Sequence, residues 1–158
     1  MSKRVFGVCV LGLAFLSGPL HAAVLTRTDG TGTWDFNTTK FTAAAGVNWT
    51  NNADTARFDK SGGTYVMTVD NSAGQVGAAA LAFGNVAGNW NFVGGALQIG
   101  AGGIQQTLSG ATYGLQLDNE VQLTAGQTWS INAARPIKAY GPVTGTGDLT
   151  FDALNQGG

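Results

Sequence analysis

Short apolar–polar–apolar triplets, separated by glycine-rich and asparagine-rich clusters, are the feature that most constrains how this chain can fold. The segments 97–99, 115–117 and 121–123 read Leu-Gln-Ile, Leu-Gln-Leu and Val-Gln-Leu. Successive side chains of an extended strand point to opposite faces, so each triplet presents two apolar side chains to one face and a polar one to the other. Clusters such as 100–103 and 145–148 interrupt these units with turn residues. The pattern predicts many very short, half-buried strands.

Signals for helices are sparse along the same sequence. Glu120 is the only glutamate, and 25 of the 158 residues are glycine, more than twice the usual share of about 7%. No window longer than about ten residues combines an apolar period of 3.6 with a capping residue. The chain is therefore predicted to be all-β.

The apolar pairs recur along the chain at similar but not identical steps. Their first members are Tyr65, Leu81, Leu97, Leu115, Trp129 and Leu149. Short strands, glycine corners and a loose recurrence of this size predict a solenoid in which each coil stacks on the next. A β-sandwich, whose strands recur at about 8 to 12 residues, is the alternative. Small residues at inward positions, such as 78–80, favour the thin interior of a coil.

The first part of the chain differs from this pattern. Aromatic residues fall there without a period, at Trp34, Phe36, Phe41, Trp49 and Phe58. We interpret residues 23–60 as an N-terminal cap and residues 61–158 as solenoid coils, because a solenoid closes its first coil with a segment that does not repeat. A new strand begins at Leu149 just before Gly158, so we expect further coils beyond this sequence.

Residues 1–22 resemble a secretory signal peptide. Lys3 and Arg4 precede an apolar run over 5–16, and small residues follow at Ala22 and Ala23. Cleavage after Ala22 is predicted, with cleavage after Ala23 as the near alternative. Such a leader would direct export, and it would be the chain's only association with a membrane.

Removal of this leader changes the chemistry available to the chain. The only cysteine, Cys9, and the only histidine, His21, leave with it. Lys3 and Arg4 leave as well, so 6 of the 8 basic residues remain against 9 acidic ones. Nucleophilic catalysis that needs histidine or cysteine is then excluded, as is a zinc site built on those residues. A strong electrostatic nucleic-acid binder is also excluded, since it needs a basic surface.

The remaining polar candidates are interpreted as structural. Asp118 and Glu120 flank Asn119 between two strands, which is typical of a turn, although paired acids also bind calcium or hydrolyse glycosides. Arg135 and Lys138 are predicted to lie on the surface, with a proton acceptor in a polysaccharide-active enzyme as the alternative. We therefore predict no catalytic residue, no metal site and no cofactor.

The four tryptophans could instead form a platform on which sugars stack. Trp90 and Trp129 alternate with polar neighbours, which predicts that both rings point into the core. Trp34 and Trp49 are predicted to pack in the cap. A carbohydrate-binding β-domain remains the alternative.

Several segments together resemble the bacterial autotransporter-associated β-strand repeat proteins. The resemblance covers about residues 30–151 and is carried by the segments 30–34, 56–58, 81–83, 97–104, 127–129 and 145–150, with Trp49 between the first two. It implies a right-handed parallel β-helix passenger, exported by a Gram-negative cell and displayed at its surface or secreted. This chain lacks the long repeat array and the C-terminal translocator barrel of that family.

The sequence thus leads to one functional expectation and two alternatives. We expect a non-catalytic exported structural domain, the N-terminal part of an autotransporter-like β-solenoid, with adhesion as a further role. Its expected partners are further coils of its own chain or other surface proteins, and glycans in the adhesive case. A secreted carbohydrate-binding domain and a small polysaccharide-active β-helix (a lyase or hydrolase) are the alternatives.

Overall fold

A computed structural model describes residues 23–41, 49–60, 62–84, 88–106, 114–132 and 136–154. The predicted signal peptide, Ala22 and Arg135 lie outside these ranges, and so does Gly158. No helix within the described ranges is long and apolar enough to cross a membrane.

The described residues form thirteen strands. Their bounds are β1 (Val24–Arg27), β2 (Gly32–Asp35), β3 (Thr55–Phe58), β4 (Gly63–Asp70), β5 (Val76–Phe83), β6 (Gly88–Gly94), β7 (Leu97–Gln106), β8 (Leu115–Leu117), β9 (Val121–Leu123), β10 (Gln127–Asn132), β11 (Ile137–Ala139), β12 (Val143–Gly145) and β13 (Leu149–Leu154).

These strands pair in parallel and build three faces. The five-stranded sheet of β2, β4, β6, β8 and β11 is called face B. The eight-stranded sheet divides, because β7 pairs with β9 through residues 97–99 and with β10 through residues 104–105. The part that contains β9 and β12 is called face C, and the part that contains β1, β3, β10 and β13 is called face A. The fold is a parallel β-helix, as the sequence predicted, and not a sandwich.

Each coil passes through faces B, C and A before it repeats. One full coil separates Val76 from its register partner Leu97, and another separates Ala56 from Leu81. The steps between apolar pairs in the sequence are mostly shorter than a coil, because most consecutive pairs lie on different faces. The first coil is longer, since residues 36–54 separate β2 from β3 in the sequence.

The alternation within each strand separates the interior from the surface. Leu97 and Leu117 are fully buried, whereas their polar neighbours Gln98 and Gln116 are only half-buried. Alternation along β10 places Ile131 on the same inward side as Trp129, but Ile131 is only half-buried. Its partner in the last coil is Ala153, which is too small and too exposed to cover it.

Glycine forms the corner at which β7 passes from face C to face A. Gly103 has a φ of 62°, which lies in the left-handed region that L side chains rarely adopt. A Cβ at this position would also overlap the Thr128 carbonyl of the next coil. The cluster 100–103 is therefore a coil corner, as its composition predicted.

Adjacent residues of β8 provide a direct test of this alternation. Leu117→Asn should lower the free energy of unfolding by about 2–5 kcal/mol, because it removes a buried side chain and places an amide among apolar neighbours. Gln116→Asn is the matched control and should cost less than about 1 kcal/mol. Urea unfolding followed by circular dichroism measures both values. Equal costs at the two positions would mean that both faces of β8 are buried.

Candidate functional site at the open end of the solenoid

The last coil presents an apolar surface that nothing in the described chain covers. We call this surface the open end; it comprises the inward-facing residues Ile137, Val143, Leu149 and Phe151. Strands β11, β12 and β13 are the outermost strands of their faces, and each pairs with a single neighbour among the described residues. The other edge of each strand is free to hydrogen-bond.

Burial changes sharply between this coil and the one beneath it. Phe151 is 60% exposed, whereas its register partner Trp129 is 1% exposed. Val143 is 39% exposed, whereas its partner Val121 is fully buried. These positions are equivalent in the coil, so the difference arises because no described layer lies above the last coil. One more coil would bury the same side chains.

The open end continues the core rather than forming a separate patch. The rings of Trp129 and Phe151 meet edge to face, with 5.8 Å between their centroids. Ile137 and Leu149 are partly buried and pack against the main hydrophobic core. A side chain from a further coil would therefore contact an existing column of packed residues.

The opposite end of the solenoid is closed by aromatic packing. Phe41 and Trp49, from the segment between β2 and β3, stack at 4.7 Å, and Phe41 lies 5.1 Å from Trp34. Trp34 is fully buried and Phe41 is 4% exposed. Since the rings of Trp34 and Phe41 both contact the interior residue Phe58, this segment covers the start of the core.

An inward-facing arginine also distinguishes the closed end. Arg27 occupies the position on face A that Phe58 and Phe83 occupy in the next coils, and it is 1% exposed. Its Nε lies 2.8 Å from Oδ1 of Asp29, and its Nη1 donates to the Thr33 carbonyl at 3.0 Å. Burial lowers the pKa of Arg27, and the Asp29 carboxylate opposes this effect. An inward charge of this kind discourages another coil from stacking on that end.

The candidate acids Asp118 and Glu120 lie at the corner between β8 and β9, and each bonds to a side chain of a different face. Asp118 is exposed, and its carboxylate accepts hydrogen bonds from Gln116 of face B at 2.9 and 3.0 Å. Glu120 accepts from Gln122 of face C at 3.1 Å. Asn119, between them, is buried. This is the corner that the turn interpretation predicted. The described residues contain no group of three or more His, Cys, Asp or Glu side chains placed to hold a metal ion.

Glu120 ends a polar ladder that runs along face C. Asn52 donates to Gln98, and Gln98 donates to Gln122, each at 3.3 Å. Gln122 and the Thr144 hydroxyl then both donate to Oε1 of Glu120. The hydrogen bond from Thr144, and to a smaller extent that from Gln122, lowers the pKa of Glu120. Its carboxylate thus acts as an acceptor that ties neighbouring coils together.

Asparagines at the corner between faces B and C were missed as contributors to coil stacking. The side-chain amide of Asn119 donates to the Gly95 carbonyl of the preceding coil at 2.9 Å. Asn71 donates to the Ala96 carbonyl at 2.9 Å and accepts from the Val76 amide at 3.1 Å. The recurrence of asparagine before a strand was the available signal. From sequence alone, this recurrence indicates turns and does not reveal the contact with the neighbouring coil.

The tryptophans do not form a surface platform. Trp90 and Trp129 are 2% and 1% exposed, as their alternation predicted. Trp34 is fully buried, and Trp49 is half-buried against Phe41. Because ring faces that bind sugars must be accessible, these tryptophans give a carbohydrate-binding role no support. Lys138 is exposed on face B, which agrees with its surface interpretation.

Comparison with known proteins identifies no relative: the chain matches no family model, no curated protein and no solved structure. A functional assignment therefore depends on the geometry of the chain itself.

Charge placed at the open end should reduce self-association of the isolated protein. Phe151→Lys removes an exposed ring whose burial is worth about 1.5–3 kcal/mol. It should therefore weaken association between copies by roughly 10- to 100-fold. Thr150→Lys is the matched control, because its side chain is exposed on the outer surface of the same strand. Sedimentation velocity over a range of concentrations measures the effect.

Two results would contradict this account of the open end. One is a wild-type protein that stays monomeric at every concentration and binds no hydrophobic dye. The other is an equal loss of association in Thr150→Lys and Phe151→Lys, which would implicate net charge rather than the apolar surface.

Proposed function

We propose that this chain is a non-catalytic, exported structural domain that forms the N-terminal part of a longer, surface-displayed or secreted β-solenoid. Its role in that assembly is to close one end of the solenoid and to provide the coil on which the next one stacks. Adhesion is a further role of the assembled solenoid.

The observation that carries this proposal is the difference between the two ends of the coil stack. Arg27 faces the interior at the first coil, with its guanidinium carbon 6.0 Å from the centroid of the Phe41 ring. Phe151 occupies the same face at the last coil and is 60% exposed. A solenoid that was finished at both ends would need a polar or covered surface at each. This asymmetry is what the first segment of a longer stack requires.

The proposed occupant of the open end is another parallel coil of the same polypeptide. Three strand edges, on β11, β12 and β13, are free on the same side of the stack among the described residues. A covalently continuous coil meets all three edges at once, whereas a single added strand meets only one. The inward side chains of that coil would be apolar at the positions above Val143 and Phe151, because the layers beneath both are buried.

Export is supported by the composition and order of residues 1–22. Two basic residues, an apolar run and small residues at positions 22 and 23 follow the order of a secretory leader. The resemblance to autotransporter-associated repeat proteins agrees with the same destination, at the surface of a Gram-negative cell or outside it. Both supports come from the sequence.

Analysis of the natural product in the producing cell tests the proposal. An antibody against residues 23–154 should detect a product outside the cytoplasm that lacks residues 1–22 and has no Cys9 thiol. Its intact mass should exceed that of residues 23–158, since further coils are expected to follow. Leu13→Arg, which places a charge in the apolar run, should retain the product inside the cell.

The control for this variant is Ser17→Thr, which lies beyond the apolar run and preserves its polarity. A cytoplasmic product that keeps Cys9 would overturn the export part of the proposal. An exported product that ends at Gly158 would overturn the assignment to a longer solenoid.

A further inference from the structure

Asp54 is a buried carboxylate at the point where the first two strands of face A begin. It is 5% exposed, and it immediately precedes β3. Its Oδ1 accepts a hydrogen bond from the Ala23 nitrogen at 2.9 Å, and its Oδ2 accepts one from the Thr50 amide at 2.6 Å. Both donors are neutral N–H groups in the uncleaved chain. Within the described ranges, the ion pairs involve Asp29 and Asp59, not Asp54.

This arrangement leaves the charge of Asp54 incompletely compensated in the uncleaved chain. A buried carboxylate is costly unless it is hydrogen-bonded and paired with a cation. Two amide donors satisfy part of its hydrogen-bonding capacity but supply no positive charge. The Ala23 nitrogen already contacts this carboxylate, so a positive charge that arose there would meet Asp54 without moving any side chain.

Ala23 is also the first residue that remains after the predicted cleavage. Hydrolysis of the Ala22–Ala23 peptide bond consumes one water, and it leaves a carboxylate on Ala22 and an ammonium group on Ala23. That ammonium would form on the nitrogen that already contacts Asp54. Cleavage one residue later would remove Ala23 and its contact altogether.

We propose that removal of the leader creates an ion pair between the Ala23 α-ammonium and the Asp54 carboxylate, and that this pair locks the first coil. The inference rests on the proposed export and on cleavage at Ala22–Ala23. It adds a function to the cleavage, because processing would complete the closed end of the solenoid. The mature chain would then be more stable against unfolding than its precursor.

The position of Ala23 explains why the pair would act on the whole first coil. The Thr55 amide donates to the Ala23 carbonyl at 2.8 Å, so Ala23 contacts the start of β3 through its carbonyl as well as its nitrogen. Strand β1 follows directly, and it carries the fully buried Leu25 and the inward Arg27. Because β1 is an edge strand, its N-terminal anchor opposes fraying of this layer.

Asp54 also links this anchor to the next coil. Its backbone carbonyl accepts a hydrogen bond from the Ala79 amide at 2.9 Å. A charge pair at Asp54 therefore connects the chain terminus, β3 and β5. This connection explains how a change at one atom can affect the stability of more than one coil.

The test compares the mature chain, residues 23–158, with the same chain acetylated on the Ala23 nitrogen. This chain contains every residue that the structure describes. Acetylation keeps an N–H donor at Ala23 and removes only the positive charge. The free-amine form should have a folded-to-unfolded ratio about 5- to 30-fold higher, seen as a higher urea midpoint. In Asp54→Asn, the free and acetylated forms should unfold at the same urea concentration.

A second measurement does not require the Asp54 variant to fold. Only a neutral amine reacts with an activated ester, so an ammonium paired with Asp54 should be acylated several-fold more slowly in the native mature chain than in urea. Peptide mapping gives the rate at Ala23 and, as an internal reference, at Lys60 and Lys138. Both lysine side chains are exposed in the structure, so their rates should change little.

The inference is overturned if acetylation leaves the urea midpoint unchanged, if its effect persists in Asp54→Asn, or if Ala23 reacts as fast in the native chain as in urea. Failure of the proposed export has a different signature, namely a cellular product that retains residues 1–22. An exported product that begins at Ala23 but shows no effect of acetylation would leave the export proposal standing and remove only the ion pair.

Discussion

Parallel stacking of equivalent inward side chains is the constraint on which the rest of this structure depends. On face A, five strands align these side chains in register, at Ala56, Leu81, Ile104, Trp129 and Phe151. The strands of the other faces are as short as three residues at β8 and β9. Strands of that length have no stability of their own, and each is held by the layers above and below it. The stability of any coil is therefore a property of its neighbours.

This dependence makes the ends of the stack its critical positions. At the first coil, Arg27 occupies the position that Phe58 and Phe83 fill in the next two coils, and its guanidinium group is paired with Asp29 and lies against Phe41. At the last coil, the described inward positions are apolar, and Phe151 is 60% exposed. The polar ladder on face C also extends to the last coil, where the Thr144 hydroxyl donates to Glu120. The proposed role as the first segment of a longer solenoid follows from this polarity.

Local alternation was sufficient to predict the all-β class and the inward side of most strands. Leu97 and Leu117 are buried as predicted, and Trp90 and Trp129 lie in the core. Alternation has a period of two in parallel and antiparallel sheets alike, so it could not by itself exclude a sandwich. Small inward residues and glycine corners correctly favoured the solenoid. The length of a coil could not be read from the spacing of apolar pairs, because each coil contains short strands on three faces.

Local sequence patterns could not predict the contacts at the open and closed ends, for a different reason. Arg27 looks like a surface residue, since only its register with Phe58 places it in the interior. Asn119 matches a turn, and its contact with Gly95 depends on the preceding coil. The same holds for Asp54, whose partner Ala23 lies far earlier in the chain. Contacts between coils determine the roles of these residues, and the sequence of one coil does not show which residues of the next coil it will contact.

Disulfide formation between two stacked positions tests the parallel coil register most directly. Gln98 and Gln122 are register partners on face C, and their side-chain amides lie 3.3 Å apart. Neighbouring strands are about 4.8 Å apart, which is within the range of Cα separations that a disulfide spans. In a Cys9→Ser background, Gln98→Cys with Gln122→Cys should oxidise to an intramolecular disulfide in the native protein, whereas Gln98→Cys with Gln116→Cys should keep both thiols. Efficient closure of the second pair, or none of the first, would contradict the stacked parallel β-helix.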